Sequence, residues 1–244
     1  MPRLDASSLQ IPHPNLLPLA CAVWTQRFQT EYRSIQVMTR FLEELVGAGD
    51  PLDVLPSAAE AIRDEIRHAA LAAQVVEMLG GETPDLPDPV REPLAAEYVA
   101  LPMVQRALIT AISVAINETI SLALIADLQR RCTNPPLQTM LSATLADEDG
   151  HGDLGWVYVA ASLQRFDEDS HPFWRAVAQN AYQPHRDHAA RVLEPLAVER
   201  RTLEEWPEPD LAMLGLISAE REAVLFERTW RQALLPKLQE LGLQ

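Results

Sequence analysis

The chain has few cysteines and no cysteine motif. Cys21 and Cys132 are the two cysteines in 244 residues, and they form no Cys-x-x-Cys pair. This scarcity excludes a four-cysteine zinc or iron site and a disulfide-rich scaffold, and it favours a reducing compartment. The N-terminal residues 1–18 contain prolines where an export signal needs an apolar run. We therefore expect a cytoplasmic protein.

Basic residues and long apolar runs are also scarce. The 20 lysines and arginines face 35 aspartates and glutamates, which gives a net charge of -15. A nucleic-acid or anionic-membrane partner needs a basic surface, so we expect neither. One stretch, residues 107–128, is apolar enough to resemble a membrane span, but it carries Glu118 and has no counterpart elsewhere. A charged residue inside lipid is costly, so we expect a buried central helix and no membrane span.

Alternation typical of strands is nearly absent, whereas helical periodicity runs through most of the chain. The pattern predicts an all-α fold with four long helices. The first helix covers about 19–46, and the second runs from a capping box at Ser57 and Glu60 to Gly80. The third helix ends at about 131, and the fourth runs from about 134 to 165. Residues 81–102 contain five prolines and predict one long crossover between the second and third helices.

We predict a single domain over residues 1–244. Its first part, 19–165, holds the four long helices, and 166–244 forms accessory C-terminal helices packed on it. The accessory part contains a helical stretch interrupted by Pro184 and Pro195 and a last amphipathic helix at about 211–241. In a known arrangement of four-helix bundles, a short loop connects the two helices of each pair and one long crossover joins the two pairs.

Each of the four long helices has charged residues near mid-length in its otherwise apolar stripe. The exceptions are Glu31; Glu65 with His68; Glu118; and Glu148 with His151. Carboxylates that converge in an apolar interior are costly unless a cation compensates them. Glutamate and histidine three residues apart project from one helical face. Oxygen ligands with some imidazole suit iron or manganese, so the pattern predicts a site for two metal ions.

Other histidine pairs lack this context. A third Glu-x-x-His motif, Glu168 with His171, lies in an acidic segment beside Pro172 and off any apolar stripe. His185 and His188 are also three residues apart, but charged residues surround them. We expect both pairs at the surface.

The ligand pattern resembles that of the ferritin-like diiron-carboxylate proteins, which place a glutamate on each of two helices and Glu-x-x-His on the other two. The resemblance covers residues 19–165 and implies a ferritin-like four-helix bundle. It implies two iron ions, or a mixed manganese and iron pair. Glu65 and Glu148 would be bridging ligands, and Glu31 and Glu118 terminal ones.

An aspartate precedes each Glu-x-x-His glutamate, as in bacterial multicomponent monooxygenases and ribonucleotide reductase small subunits. By this resemblance Asp64 orients His151, and Asp147 orients His68 on the opposite helix. Arg67 corresponds to the family's arginine beside these aspartates. Such partners fix the orientation of a ligand histidine.

The resemblance does not settle the reaction, since several activities share this ligand set. We expect an O2-activating oxidase or oxygenase that acts on a small, at least partly apolar organic substrate. O2 would be the co-substrate, with electrons from an external reductase or ferredoxin. Small residues beside the ligands would either line an apolar substrate cavity or let the helices pack closely: Ala72, Ala115, Thr144 and Gly155.

Two other functions stay open. One is a ferroxidase or peroxide-scavenging protein similar to ferritin or rubrerythrin, although the chain has no cysteine-rich iron domain. The other is a non-catalytic helical protein that binds a partner and no metal. A radical-generating reductase subunit is disfavoured, because Ala72 occupies the position of the radical tyrosine. The sequence leaves the oligomeric state open, and a homodimer is one of the options.

Overall fold

The computed structural model describes residues 3–82, 84–85 and 94–244, without the side chains of 149–153. Every regular element in these residues is helical, and they contain no strand. The predicted all-α class is therefore confirmed.

Four long helices form the centre of the molecule. In chain order, the helices up to residue 163 are α1 (Leu17–Ala48), α2 (Leu55–Met78), the short α3 (Ala96–Val99), α4 (Met103–Arg131) and α5 (Pro135–Leu163). The α1 helix packs against α2 and α4, and α5 packs against the same two helices. The four long helices thus surround a common interior.

Local sequence explains one end of α1 and one end of α5. Gly49 ends α1 in the left-handed region, with φ +71°, which glycine adopts at little cost. Asn134 precedes α5, and Pro135 occupies its first position, where a missing N–H costs nothing. The capping box expected at Ser57 is wrong. The α2 helix starts two residues earlier, at Leu55, and its N-cap residue Val54 provides no side-chain hydrogen bond.

The apolar core is divided into two clusters along the helix axes. On α2 one cluster ends at Ile62 and the other starts at Ala69. On α5 the division falls between Leu145 and Leu154. The polar residues singled out from the sequence on α2 and α5 lie in this interval, so a polar layer crosses an otherwise apolar interior.

The C-terminal part differs from the prediction in two places. Its helices are α6 (His171–Leu193), α7 (Pro209–Met213), α8 (Ala219–Thr229) and α9 (Leu235–Glu240), with a π-helical segment (Trp230–Leu234) between α8 and α9. The α6 helix continues through Pro184. The expected last helix is interrupted after α7 at Gly215, which has φ +66°. A Cβ there would lie 2.7 Å from Cζ2 of Trp24, so this close approach requires glycine.

A buried ion cluster attaches the C-terminal helices to α4. Asp127 is fully buried, and Arg221 of α8 donates to both of its carboxylate oxygens, at 2.8 and 2.7 Å. The same guanidinium donates to the carbonyls of Leu203 and Trp206. Arg131 also donates to Asp127, at 2.9 Å. Burial opposes ionisation of Asp127, but the arginines outweigh it and lower its pKa to about 2.

By length and apolar composition α4 could cross a membrane, the one such helix in the described ranges. Its residues Leu108, Ile112 and Ile116 are fully buried. The core helix of a water-soluble protein has the same character.

Candidate metal centre

The polar layer brings five of the predicted ligands together, one or two from each long helix. Glu31 comes from α1, Glu65 and His68 from α2, Glu118 from α4 and Glu148 from α5. His68 is 0% exposed, Glu65 2% and Glu148 3%, whereas the side chain of Glu31 is 20% exposed. Four helices thus place carboxylates in a nearly dry interior, where charge is expensive without compensation.

The ligand atoms form two overlapping groups. Glu31, Glu65 and His68 each offer one atom within 4.8 Å of the other two, and so do Glu65, Glu118 and Glu148. Glu65 belongs to both groups. Such an arrangement can hold two cations side by side, with the shared glutamate between them.

His68 faces the carboxylates through Nδ1. This atom lies 3.4 Å from Oε1 of Glu148, 3.9 Å from Oε2 of Glu65 and 3.9 Å from Oε2 of Glu31. The other ring nitrogen, Nε2, lies 3.0 Å from Oδ2 of Asp147. A carboxylate acceptor at Nε2 fixes the proton there, so the Nδ1 lone pair is directed at the cluster.

Asp147 lies beside His68, and Arg67 lies between Asp64 and Asp147. Arg67 donates to Oδ1 of Asp64 at 3.1 Å and also forms an ion pair with Asp147. One guanidinium therefore joins the two aspartates that precede the Glu-x-x-His glutamates. This contact connects α2 to α5 directly beneath His68.

The second imidazole cannot be placed. His151 lies in α5, but its side chain is outside the described part of the structure. The expected contact between Asp64 and His151 therefore stays a prediction. Asp64 itself is buried at 6% exposure and pairs with Arg67.

Electrostatic repulsion inside the cluster acts on Glu31. Burial raises the pKa of Glu31 well above its ordinary value, and the neighbouring Glu65 and Glu148 raise it further. Arg27, one turn earlier on α1, acts in the opposite direction. Burial lowers the pKa of Arg27 to about 10, and its guanidinium lies 4.4 Å from the centre of the Trp24 ring. Sequence reasoning missed Arg27, although its i,i+4 spacing to Glu31 was visible.

Other buried carboxylates in this protein meet arginine. Glu44 is fully buried, accepts from Thr110 and Tyr98, and pairs with Arg106 at 3.3 Å. Asp127 pairs with Arg221 in the same way. In the polar layer the four glutamates approach one another, in two groups whose ligand atoms lie within 4.8 Å. The close approach of this many carboxylates is the chemical reason to expect cations among them.

The predicted substrate-lining residues are buried. Ala72 and Ala115 are 0% exposed and Thr144 is 2% exposed. At Gly155 an added Cβ would lie 2.9 Å from both Cα and Cβ of Ala115. The small residues Gly155 and Ala115 therefore let α4 and α5 approach closely, which favours close packing over a cavity at this pair.

The histidine pairs expected at the surface differ from each other. Glu168 is exposed and His171 is partly buried at the start of α6, and neither belongs to a described ligand cluster. His188 is exposed, but His185 is partly buried and lies 3.0 Å from Oδ1 of Asn117. His188 thus lies at the surface as expected, and His185 lies at the surface with its ring partly covered.

The donor set fits two ions that prefer oxygen with some imidazole, such as iron or manganese, because it combines four carboxylates with His68. No protein-family model, curated protein or solved structure matches this chain. The class of protein must therefore be inferred from these residues and their geometry.

Proposed function

We propose that this chain is a ferritin-like diiron-carboxylate protein and an O2-activating oxidase or oxygenase. The observation that carries the proposal is the pair of ligand groups that share Glu65, with His68 held by Asp147. Glutamates from α1 and α4 and Glu-x-x-His from α2 and α5 reproduce the ligand distribution of that class. The pairwise packing of the four long helices also agrees with such a bundle.

The residues divide naturally between two ions. Glu31 and His68 would hold one ion, and Glu118 would hold the other, together with His151 as the symmetric ligand. Glu65 would bridge, because it belongs to both groups. Glu148 would also bridge, since it groups with Glu118 and its Oε1 lies 3.4 Å from Nδ1 of His68.

The protein's own contribution is to hold these ligands in a fixed orientation. Asp147 accepts a hydrogen bond from Nε2 of His68, and Arg67 pairs with Asp147 and holds it in place. The raised pKa of Glu31 means that this carboxyl retains a proton more readily than usual when cations are absent. Binding of cations would then release that proton to solvent, which couples loading to pH.

When bound, a pair of ferrous ions supplies electrons to O2 and thereby oxidising power toward an organic substrate. The buried surroundings keep water away from this chemistry, since the apolar clusters lie on both sides of the polar layer. The partial exposure of Glu31 gives the layer a route to solvent on the α1 side. A small, partly apolar substrate and an external reductase or ferredoxin complete the proposed reaction.

The test is the reaction of the ferrous protein with O2. Protein loaded with Fe(II) without oxygen is mixed with O2, and the optical spectrum and O2 uptake are followed. We expect uptake that stops near one O2 per pair of irons and resumes when a reductant is added. Ferrous protein that takes up O2 no faster than free Fe(II) would contradict the proposal.

Matched variants on α2 show whether the site is responsible. Glu65→Ala removes the shared ligand, whereas Glu60→Ala removes an exposed glutamate of the same helix whose partner is Arg63. We expect rapid O2 uptake to disappear in the first variant and to persist in the second. Equal activity of the two variants would place the chemistry elsewhere.

A ferroxidase is the second candidate, and the 20% exposure of Glu31 favours it, because iron could reach the layer from solvent. The two functions differ in iron turnover. A ferroxidase would oxidise many ferrous ions per chain in successive additions and would form large oligomers that mineralise iron. An oxygenase would oxidise about one pair per chain without added reductant.

A further inference from the structure

A separate cleft opens between α4, α6 and α8. Its volume is about 170 Å³, and Ile120, Leu124 and Phe226 contribute to its walls. The lining positions lie on one face of each helix. On α4 they are four residues apart, and on α8 they include Glu222 and Phe226, also four apart. Three helix faces therefore converge on this space.

The size and walls of the cleft suit a small hydrocarbon group. Apolar cavities of about 150 Å³ bind benzene-sized molecules. The side chains of Leu124 and Phe226 offer such a group an apolar surface. A single ring or a short aliphatic chain would fill the space.

His185 is a fixed polar group in the lining. Asn117 donates from Nδ2 to the carbonyl of Ser113 at 2.8 Å, which turns its Oδ1 toward Nε2 of His185 at 3.0 Å. The imidazole therefore donates from Nε2, and Nδ1 is its acceptor. The ring is also stacked on Phe226, with centroids 5.9 Å apart. Burial lowers the pKa of His185 and the nearby His188 lowers it further, so the ring is neutral near pH 7.

Glu222 supplies negative charge at the exposed edge of the cleft. It is exposed, and its carboxylate makes no hydrogen bond or ion pair within 4.0 Å with any residue in the part of the chain that the structure describes. Its charge acts on Arg27 over a longer distance and raises that pKa. The polar groups of His185 and Glu222 are therefore an acceptor and a carboxylate, which together select a cationic donor.

We propose that this cleft binds a small apolar amine in its ammonium form, with the hydrocarbon part against Leu124 and Phe226 and the ammonium group at Glu222. The site is distinct from the metal centre. Ile120 and Leu124 lie about 200° and 240° around the α4 axis from Glu118, on the other side of that helix. The proposal therefore does not rest on the proposed function.

The test measures binding of benzylammonium to the full chain at pH 7 by ligand-observed NMR or calorimetry. We expect a dissociation constant on the order of 1 mM, typical of a ligand with so few atoms. Methylammonium lacks the ring, benzyl alcohol lacks the charge and benzoate reverses it, so each should bind more weakly. Equal binding of benzoate or benzyl alcohol would overturn the proposal, and so would the absence of binding at about 10 mM.

Two matched variants on α8 locate the site. Glu222→Gln removes the proposed partner of the ammonium group, and we expect benzylammonium affinity to fall by about fivefold. Glu220→Gln makes the same chemical change two residues earlier, at a position that does not line the cleft, and should leave the affinity unchanged. An unchanged affinity in Glu222→Gln, or an equal loss in both variants, would refute the assignment.

Discussion

Asp147 should control how tightly the polar layer binds iron, although it is not itself a proposed ligand. Its carboxylate lies 3.0 Å from Nε2 of His68 and also pairs with Arg67. The Asp147→Asn variant keeps the shape but removes the charge. Both His68 and Arg67 contact the same oxygen, Oδ2, so the amide oxygen of asparagine can occupy that place. An amide oxygen is a weaker acceptor than a carboxylate oxygen, so the hydrogen bond from His68 loses its charge assistance.

The magnitude follows from the kind of hydrogen bond that is lost. A hydrogen bond to a charged group contributes about 1.5–3 kcal/mol, against about 0.5–1.5 kcal/mol for a neutral one. The midpoints of these two ranges differ by about 1.3 kcal/mol, which corresponds to a nearly tenfold larger dissociation constant for Fe(II). Loss of comparable partners in metal sites weakens binding by about 10- to 100-fold, which agrees with this value.

Competition with a coloured Fe(II) chelator, without oxygen, measures the effect. The control is Asp53→Asn, which changes the same charge at an exposed position before α2. Asp147→Asn should bind iron about tenfold more weakly than the control while unfolding at a similar urea concentration. If both variants bind iron as tightly as the unmodified protein, the role assigned to Asp147 is wrong.

Three further predictions concern stability, each measured by urea unfolding. Replacing Arg221 by Met should lower the unfolding free energy by about 3 kcal/mol. Buried Asp127 keeps its contacts with Arg130 and Arg131 but loses the bidentate pair with Arg221, and the carbonyls of Leu203 and Trp206 lose the same guanidinium. A loss under about 1 kcal/mol would contradict this. Gly155→Ala should destabilise by about 1 kcal/mol, since overpacking against Ala115 exceeds the gain in helix propensity; net stabilisation would show that α4 and α5 are farther apart. In the folded state the pKa of Glu31 is raised above its ordinary value of 4.5. The contribution of protonated Glu31 to the free energy of unfolding is therefore fully present below pH 4.5, and it is lost as the pH rises through the folded-state pKa. Metal-free protein should therefore lose stability from pH 5 to pH 8 more steeply than Glu31→Gln, and parallel pH profiles would refute the repulsion inferred for the cluster.

The four long helices and the convergence of their mid-length polar residues were predictable, because hydrophobic periodicity and helix-breaking residues are local signals. Helix α4 was expected to end at about 131 and ends at Arg131. Glu65 and His68 stood out because they interrupt an apolar stripe. The structure brings them to Glu31, Glu118 and Glu148 because stripes that are buried together must place their exceptions together.

Long-range contacts explain what sequence reasoning missed. Glu43 and Glu44 are adjacent, yet Glu43 is exposed and Glu44 is fully buried beside Arg106, which comes from another helix. The break at Gly215 depends on Trp24, a residue far away in the chain. No periodic pattern contains such contacts, so the continuous last helix was predicted wrongly.

The central claim is that the polar layer holds two metal ions. The most direct measurement is the number of iron ions per chain after anaerobic Fe(II) loading and removal of excess metal, beside the Glu65→Ala variant. We predict about two per chain, and none retained when the shared ligand Glu65 is absent. Folded protein that retains no iron, or a Glu65→Ala variant that retains both ions, would contradict the claim.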